Sequence, residues 1–239
     1  MSKKKLSLII AAGVLATAVV GGSLAWFTSQ DTETNHFTTG SINHEIVEDF
    51  DTTGPSQDLL PGDEVNKDVW INNTGKSDAL LRVKITPQWM NGKEADTTLG
   101  NEGIELVFAE NVQTALNESG VNSGSTWVLG NDGYFYYTSI LSVNSEEVEK
   151  QTAQLLDAVR LSGKITDQTK FANKEMNVII ESETVQVNKD AYEEEWFTEN
   201  ESGLTTVIDA SIANMLNNLV DAYKDAKDKT HYENASSNN

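Results

Sequence analysis

The chain has 239 residues, 37 acidic against 17 basic side chains, three histidines, no cysteine and a formal charge of −20. That composition excludes a collagen and a disulfide-stapled mini-protein, and an acidic surface of this strength repels phosphate backbones and anionic lipid, so nucleic-acid binding is set aside. Hydrophobic residues at 38%, with five Trp, six Tyr and seven Phe, suffice for a buried core in one large domain or two small ones.

Lys3, Lys4 and Lys5 precede an uncharged stretch from Leu6 through Gln30, the basic and apolar layout of an export signal. Gly21, Gly22, Ser23 and Ala25 supply the small side chains that a signal peptidase needs, so cleavage is expected between Ala25 and Trp26, with residues 1–25 removed. An uncleaved anchor also fits, because roughly 20 apolar residues can span a bilayer. On the first reading the chain meets a membrane only through its signal, before cleavage.

From Phe37 to about Val187 short runs of β-branched and aromatic residues alternate with Asn, Asp, Gly and Ser clusters, which points to a mainly β, antiparallel sandwich over 41–190. The clearest strand is Ala79–Ile85, with Ala79, Leu81, Val83 and Ile85 turned inward, Leu80, Arg82 and Lys84 outward, and Pro87 at its end or edge. Further strands are expected at Val69–Ile71, Ile104–Phe108, Thr126–Leu129, Tyr134–Leu141 and Asn177–Val187. Asn131-Asp132-Gly133 predicts a hairpin, and Pro61-Gly62-Asp63 a tight turn.

Ser145–Leu161 carries Val148, Thr152, Leu155, Leu156 and Val159 at helical spacing, although Leu155–Leu161 also reads as a short strand. After an acidic linker that begins near 191, Leu204, Val207, Ile208, Ile212, Met215, Leu216, Leu219, Val220 and Tyr223 form the apolar stripe of an amphipathic helix running to about 228. Residues 229–239 are polar and expected to form an unstructured tail.

Chemistry is hard to find in this sequence. Zinc hydrolysis needs converging nitrogen and carboxylate ligands, and the nearest approach, His44-Glu45-Ile46-Val47-Glu48, ends in Glu and sits on an expected strand where Glu45 points away from His44. His36 and His231 are remote in sequence. There is no Gly-x-Ser-x-Gly elbow and no phosphate-binding glycine loop. Asp49, Asp51, Asp58 and Asp63 lack the spacing of a calcium loop, and Glu193-Glu194-Glu195 reads as a solvated face. No catalytic, cofactor-binding or metal residue is therefore assigned.

Two blocks carry a resemblance. Gly21-Gly22-Ser23-Leu24-Ala25-Trp26-Phe27-Thr28 followed by Phe37-Thr38-Thr39-Gly40-Ser41-Ile42 is the first, and Leu59-Leu60-Pro61-Gly62-Asp63-Glu64-Val65 leading into Asp68–Gly75 and the strand through Ile85 is the second. Together they resemble the TasA, CalY and camelysin family of exported proteins processed by a SipW-type signal peptidase. Asn131-Asp132-Gly133-Tyr134-Phe135-Tyr136-Tyr137 and the Val178–Val187 segment are similar to the clostridial biofilm-matrix branch typified by BsaA.

The resemblance implies a jelly-roll-like β-sandwich, secreted to the extracellular matrix or cell surface of a Gram-positive-type bacterium. It implies a fibre subunit whose partners are itself, the SipW-type peptidase and other matrix components, with no cofactor. The segment freed by cleavage, 26–40, would donate a strand to the next copy, with Trp26, Phe27 and Phe37 as anchors and Gly40 as pivot. A camelysin-like metalloprotease and a non-polymerising accessory module are the alternatives.

Overall fold

In a computed structural model of the chain, residues 41–50, 59–143, 150–197 and 208–237 are described, with backbone alone at 168 and 230–237. The export signal, the Ala25–Trp26 cleavage point, Trp26, Phe27, Phe37 and Gly40 lie outside the described residues.

Among the described residues ten strands form two sheets. The first has the order β1-β2-β9-β5, built from β1 (His44–Phe50), β2 (Glu64–Asn73), β9 (Leu156–Leu161) and β5 (Ile104–Phe108). The second has the order β10-β3-β8-β7-β6, built from β10 (Glu175–Gln186), β3 (Ala79–Asn91), β8 (Tyr134–Tyr137), β7 (Trp127–Leu129) and β6 (Val112–Gln113), with the short β4 (Glu94–Ala95) hairpinned onto β3. The mainly β sandwich expected from the sequence is what forms. All pairings are antiparallel except β6 with β7, which run parallel.

The turns follow local chemistry. Asp63 N–H donates to Leu60 C=O at 2.9 Å around Pro61 and Gly62, and Gly62 takes the positive φ of 99° that this turn demands and that a Cβ would oppose. The β7–β8 hairpin closes through Gly130 N–H to Tyr134 C=O at 2.8 Å, as Asn131-Asp132-Gly133 predicts.

Between the sheets lie two apolar clusters. Val69, Trp89, Ile104, Leu156 and Val159 form one, and Ile71, Leu81, Val83, Trp127, Phe135 and Leu155 the other. The inward row of β3 is thus as its alternation indicates, but the opposite row is not open to water. Leu80 and Arg82 are both buried, because two helices pack on the outer face of the second sheet.

These helices are α1 (Lys189–Trp196) and α2 (Ala210–Ser237). Ile212, Leu216 and Val220 of α2, with Tyr192 and Trp196 of α1, cover Leu80, Val128, Tyr136, Val185 and Val187. The molecule therefore has a third layer.

Four expectations need correction. Residues 156–161 form β9, a strand with neighbours on both sides, and not part of a helix; Leu156, Ala158, Val159 and Leu161 are buried there, and a short apolar run satisfies either period until neighbours choose. Residues 144–149 of that expected helix lie outside the description.

Pro87 lies inside β3 and does not end it. Trp89 N–H points to Gly100 C=O, away from β10, so the nitrogen two residues earlier faces the same way and its missing proton costs the β10 ladder nothing. The acidic linker opens with α1, capped by the Asn188 side chain, which accepts from Asp190 N–H; Tyr192 and Trp196 are buried while Glu193, Glu194 and Glu195 face solvent. Finally, α2 continues to Ser237 through the stretch expected as tail, since no Gly or Pro follows Gly203 to break it.

Asp78, just before β3, fastens α2 to the sheet. Its carboxylate accepts from Val143 N–H at 2.9 Å, Ser142 Oγ at 3.2 Å and Tyr223 Oη at 3.0 Å, and Lys227 Nζ lies 3.6 Å away. Burial alone would raise its pKa, but the Val143 amide, the two hydroxyls and Lys227 outweigh that and hold it below the ordinary carboxylate value. A carboxyl depressed in the folded state stabilises the fold above its unfolded pKa, and the contribution is lost as pH falls through the folded value. Asp78→Asn is accordingly expected to cost about 1 kcal/mol at pH 7, with the gap to the parent closing as pH drops below about 4, as read by urea unfolding across pH.

Candidate functional site

One side of the sandwich ends on two outer strands, β1 of the first sheet and β10 of the second. The inward face of β2 is Val65, Lys67, Val69, Ile71 and Asn73, all buried. Opposite residues of an antiparallel pair share a face, so the β1 residues in register with these, namely His44, Ile46, Glu48 and Phe50, also face the interior. Yet Ile46 is 36% and Phe50 44% exposed.

By the same register argument Met176, Val178, Ile180, Ser182 and Thr184 of β10 lie opposite Trp89, Pro87, Ile85, Val83 and Leu81 and share their inward face. All five are only partly buried. Among the described residues the sandwich is thus incompletely closed along this side.

His44 ties the two edges together at one end. Its Nε2 lies 2.8 Å from Ser182 Oγ and 3.2 Å from Ser182 C=O, and its Nδ1 lies 2.9 Å from Thr184 Oγ1. The carbonyl contact makes Nε2 the protonated nitrogen, with Nδ1 accepting from the threonine hydroxyl. Further along β1, Lys67 Nζ donates to Glu48 at 2.8 Å and sits over the Phe50 ring at 5.3 Å.

The chain enters β1 from a fixed point. Thr74 N–H donates to Asn43 C=O at 3.0 Å and Lys76 N–H to Ser41 C=O at 2.7 Å. Between them Gly75 is packed so closely that a Cβ there would come within 2.6 Å of both Asn43 N and Ser41 O. Residues 41–43 are thereby strapped to the β2–β3 loop where the chain enters β1. This anchor escaped the sequence reading, because it joins backbone groups that are remote in sequence.

Elsewhere a cavity of about 440 Å³ opens between the Ser119–Val121 loop and α2, lined by serine, asparagine and aliphatic side chains such as Ser211, Asn214 and Met215. Among the described residues its lining carries no carboxylate, imidazole or ammonium. No helix among the described residues is long and apolar enough to cross a membrane.

Residues 1–190 match the family model described as camelysin metallo-endopeptidase. The chain belongs to the camelysin family. Membership points to a surface or secreted protein. All ten strands fall within the match and it ends at the second residue of α1, so the helical layer lies almost wholly outside it. Comparison with curated proteins finds no match.

The family description implies a metal, and the donors of this camelysin-family chain can be tested for fit. The described His44 has both ring nitrogens engaged by Ser182 and Thr184, Glu45 reaches Asn72 Nδ2 at 3.3 Å, and Glu48 is taken by Lys67. Among the described residues no three His, Asp or Glu side chains converge. Two carboxylates and an imidazole that each serve another partner do not make a zinc-ligand set, so the described residues do not fit the group and no catalytic step is built on it. The side chains of His36 and His231 lie outside the description.

Proposed function

We propose that this chain is a secreted structural subunit of extracellular biofilm-matrix fibres, polymerising head to tail by strand donation once the signal is removed between Ala25 and Trp26. The observation that carries the reading is the unclosed side of the sandwich, where apolar Ile46 and Phe50 of an outer strand face the interior and yet remain exposed. An outer strand offers unpaired N–H and C=O groups, and an added strand satisfies them while covering such side chains.

Trp26 to Phe37 is the donor, with Trp26, Phe27 and Phe37 as anchors and Gly40 as pivot just ahead of the Ser41 strap. A SipW-type peptidase licenses assembly, because an uncleaved signal stays attached to the strand that must insert. A head-to-tail contact need not close, so fibres follow. The strong negative charge keeps free subunits apart. The narrower likeness to the BsaA-type branch belongs to this proposal.

The test compares a chain beginning at Trp26 with one beginning at Thr38 by sedimentation and circular dichroism. The expected result is loss of polymers with the β spectrum retained; polymers of unchanged size in the shorter chain would overturn strand donation. The family description favours a second reading, a metallo-endopeptidase, which predicts chelator-sensitive peptide cleavage by the pure protein. A non-polymerising accessory module would be favoured if the C-terminal helix covered the open edge; among the described residues that helix packs on the outer face of the second sheet.

A further inference from the structure

We infer that the cavity between α2 and the β6–β7 connection binds an uncharged, N-acetylated sugar unit of an extracellular glycan, a role separate from strand donation.

One wall of this cavity lies beyond the family match. It is the flank of α2, which begins at Ala210, and the other wall is the stretch from Ser119 to Val121 in the connection between β6 and β7. In the strand order of the second sheet these two strands are at the opposite end from β10.

Both walls are fixed before any ligand arrives. Ile212, Leu216 and Val220 are buried against the sheet, which sets the rotation of α2 and puts Ser211, Asn214, Met215 and Asn218 on the flank that lines the cavity. The connection is held by Gln113, 7% exposed, whose side chain donates to Gly120 C=O at 3.1 Å and to Ala115 C=O at 3.0 Å and accepts from Asn122 N–H at 2.9 Å. The two walls meet where Gly120 packs directly against the Ser211 side chain.

The lining has two kinds of surface. Val121, Met215 and Leu219 give an apolar floor that continues the core under α2. Ser119, Ser211, Asn214 and Asn218 give hydroxyls and amides, and these side chains bond to no other described residue. Asn214 and Asn218 stand one helical turn apart, about 5–6 Å between their Cβ atoms, and both are exposed, so the cavity opens to solvent along them.

These surfaces specify the ligand. In a chain of 37 acidic and 17 basic side chains, the described lining has none of either, so a charged ligand would give up water there without gaining a partner. Each serine hydroxyl and each asparagine amide both donates and accepts, which matches the hydroxyl and acetamido groups of a sugar, groups that do the same. A peptide backbone, whose N–H only donates and whose C=O only accepts, uses such a lining less fully. The acetyl methyl and the C–H face of the sugar ring would cover Met215 and Leu219. A volume of about 440 Å³ is within the range of roughly 300–1,000 Å³ typical of small-molecule sites, and the open rim lets a polymer continue past it.

The experiment titrates the chain beginning at Trp26 with tri-N-acetylchitotriose by calorimetry, beside the de-N-acetylated trimer and an end-blocked tetra-alanine peptide. Saturable binding of the acetylated trimer is expected, about tenfold or more tighter than either comparator and weakened about tenfold or more in the Asn214→Ala, Asn218→Ala double variant. Both positions are exposed on a helix and alanine raises helix propensity, so the double variant keeps the fold, as circular dichroism checks. The chain beginning at Thr38 is expected to bind the sugar as the parent does.

Absence of saturable binding overturns the inference, and so does unchanged affinity in the double variant. Equal or tighter binding of the cationic trimer would assign the attraction to the acidic surface, and equal binding of the peptide would make the cavity a peptide groove; both overturn it. Loss of binding in the chain beginning at Thr38 would place the sugar on the segment 26–37 and does the same. Polymerisation is read separately by sedimentation, so a failure here leaves strand donation to its own test.

Discussion

A chain ending at Asn188 is expected to lose cooperative folding and to aggregate, although all ten strands and nearly the whole family match remain. Removing α1 and α2 takes away Tyr192, Trp196, Ile212, Leu216 and Val220, each buried to within a few per cent of complete. Burying a large apolar side chain is worth roughly 1.5–3 kcal/mol, so the five together supply on the order of 10 kcal/mol as an upper figure. That is comparable to the roughly 5–15 kcal/mol of total stability of a typical domain.

The face left behind carries Leu80, Val128, Tyr136, Val185 and Val187, a continuous apolar surface of the kind that drives association. A milder form of the experiment is Leu216→Ala, expected to cost about 2–5 kcal/mol through the transfer and cavity terms. Thermal unfolding and the soluble fraction after expression read both. A shortened chain that melts like the parent would mean that the helical layer is an appendage and not a wall of the fold.

Arg82→Met should be the most damaging single charge removal in the second sheet, at about 3–5 kcal/mol by denaturant unfolding. Arg82 is 6% exposed on the outer row of β3. Its Nε and Nη2 donate to Glu183 at 2.9 and 2.7 Å, its Nη1 lies 3.6 Å from Asp132, and Nη1 also donates to Trp196 C=O at 3.4 Å. The guanidinium stacks 3.9 Å from the Tyr134 ring centre and 5.0 Å from that of Trp196. One cation thus joins the β7–β8 hairpin, the β10 strand and α1.

Asp132 is what makes its loss expensive. Its side chain is 5% exposed, and besides the Arg82 contact it accepts from Tyr136 Oη at 2.7 Å and Tyr134 N–H at 3.1 Å. Burial first, and then the bond to Asp132, push the Tyr136 hydroxyl pKa up, so Tyr136 stays a donor at every working pH. Without Arg82 the Asp132 carboxylate is a buried charge lacking its counter-ion. Glu183 is 40% exposed on its side chain and can turn to water, so Glu183→Gln should cost only about 0–1 kcal/mol. Adding Asp132→Asn to Arg82→Met should recover part of the loss; no recovery would place the cost in lost stacking with Tyr134 and Trp196.

The candidate site was half legible. The expectation that segment 26–40 is the functional end rests on its apolar anchors and on the signal before it, both contiguous in the chain, and that segment lies outside the described residues. Which edge it meets was not legible, because an edge is defined by what fails to pair, and pairing joins residues far apart. His44 illustrates this. As one residue of His44-Glu45-Ile46-Val47-Glu48 it invited a metal reading, whereas its partners are Ser182 and Thr184, 138 and 140 positions away.

What the sequence determined by itself is whatever depends on a few neighbouring residues. The Pro61-Gly62-Asp63 turn, the Asn131-Asp132-Gly133 hairpin, the inward row of β3 and the apolar stripe of α2 follow from backbone angles and side-chain period alone. Only the tertiary structure decided that Leu156–Leu161 is a strand, that Leu80 and Arg82 are covered, that the acidic stretch after Asn188 anchors a helix, and that β6 pairs parallel with β7. A short apolar run satisfies more than one period, and an outward row is buried or bare according to what packs on it. Both outcomes are settled by contacts with distant segments, which supply more free energy than local preference can.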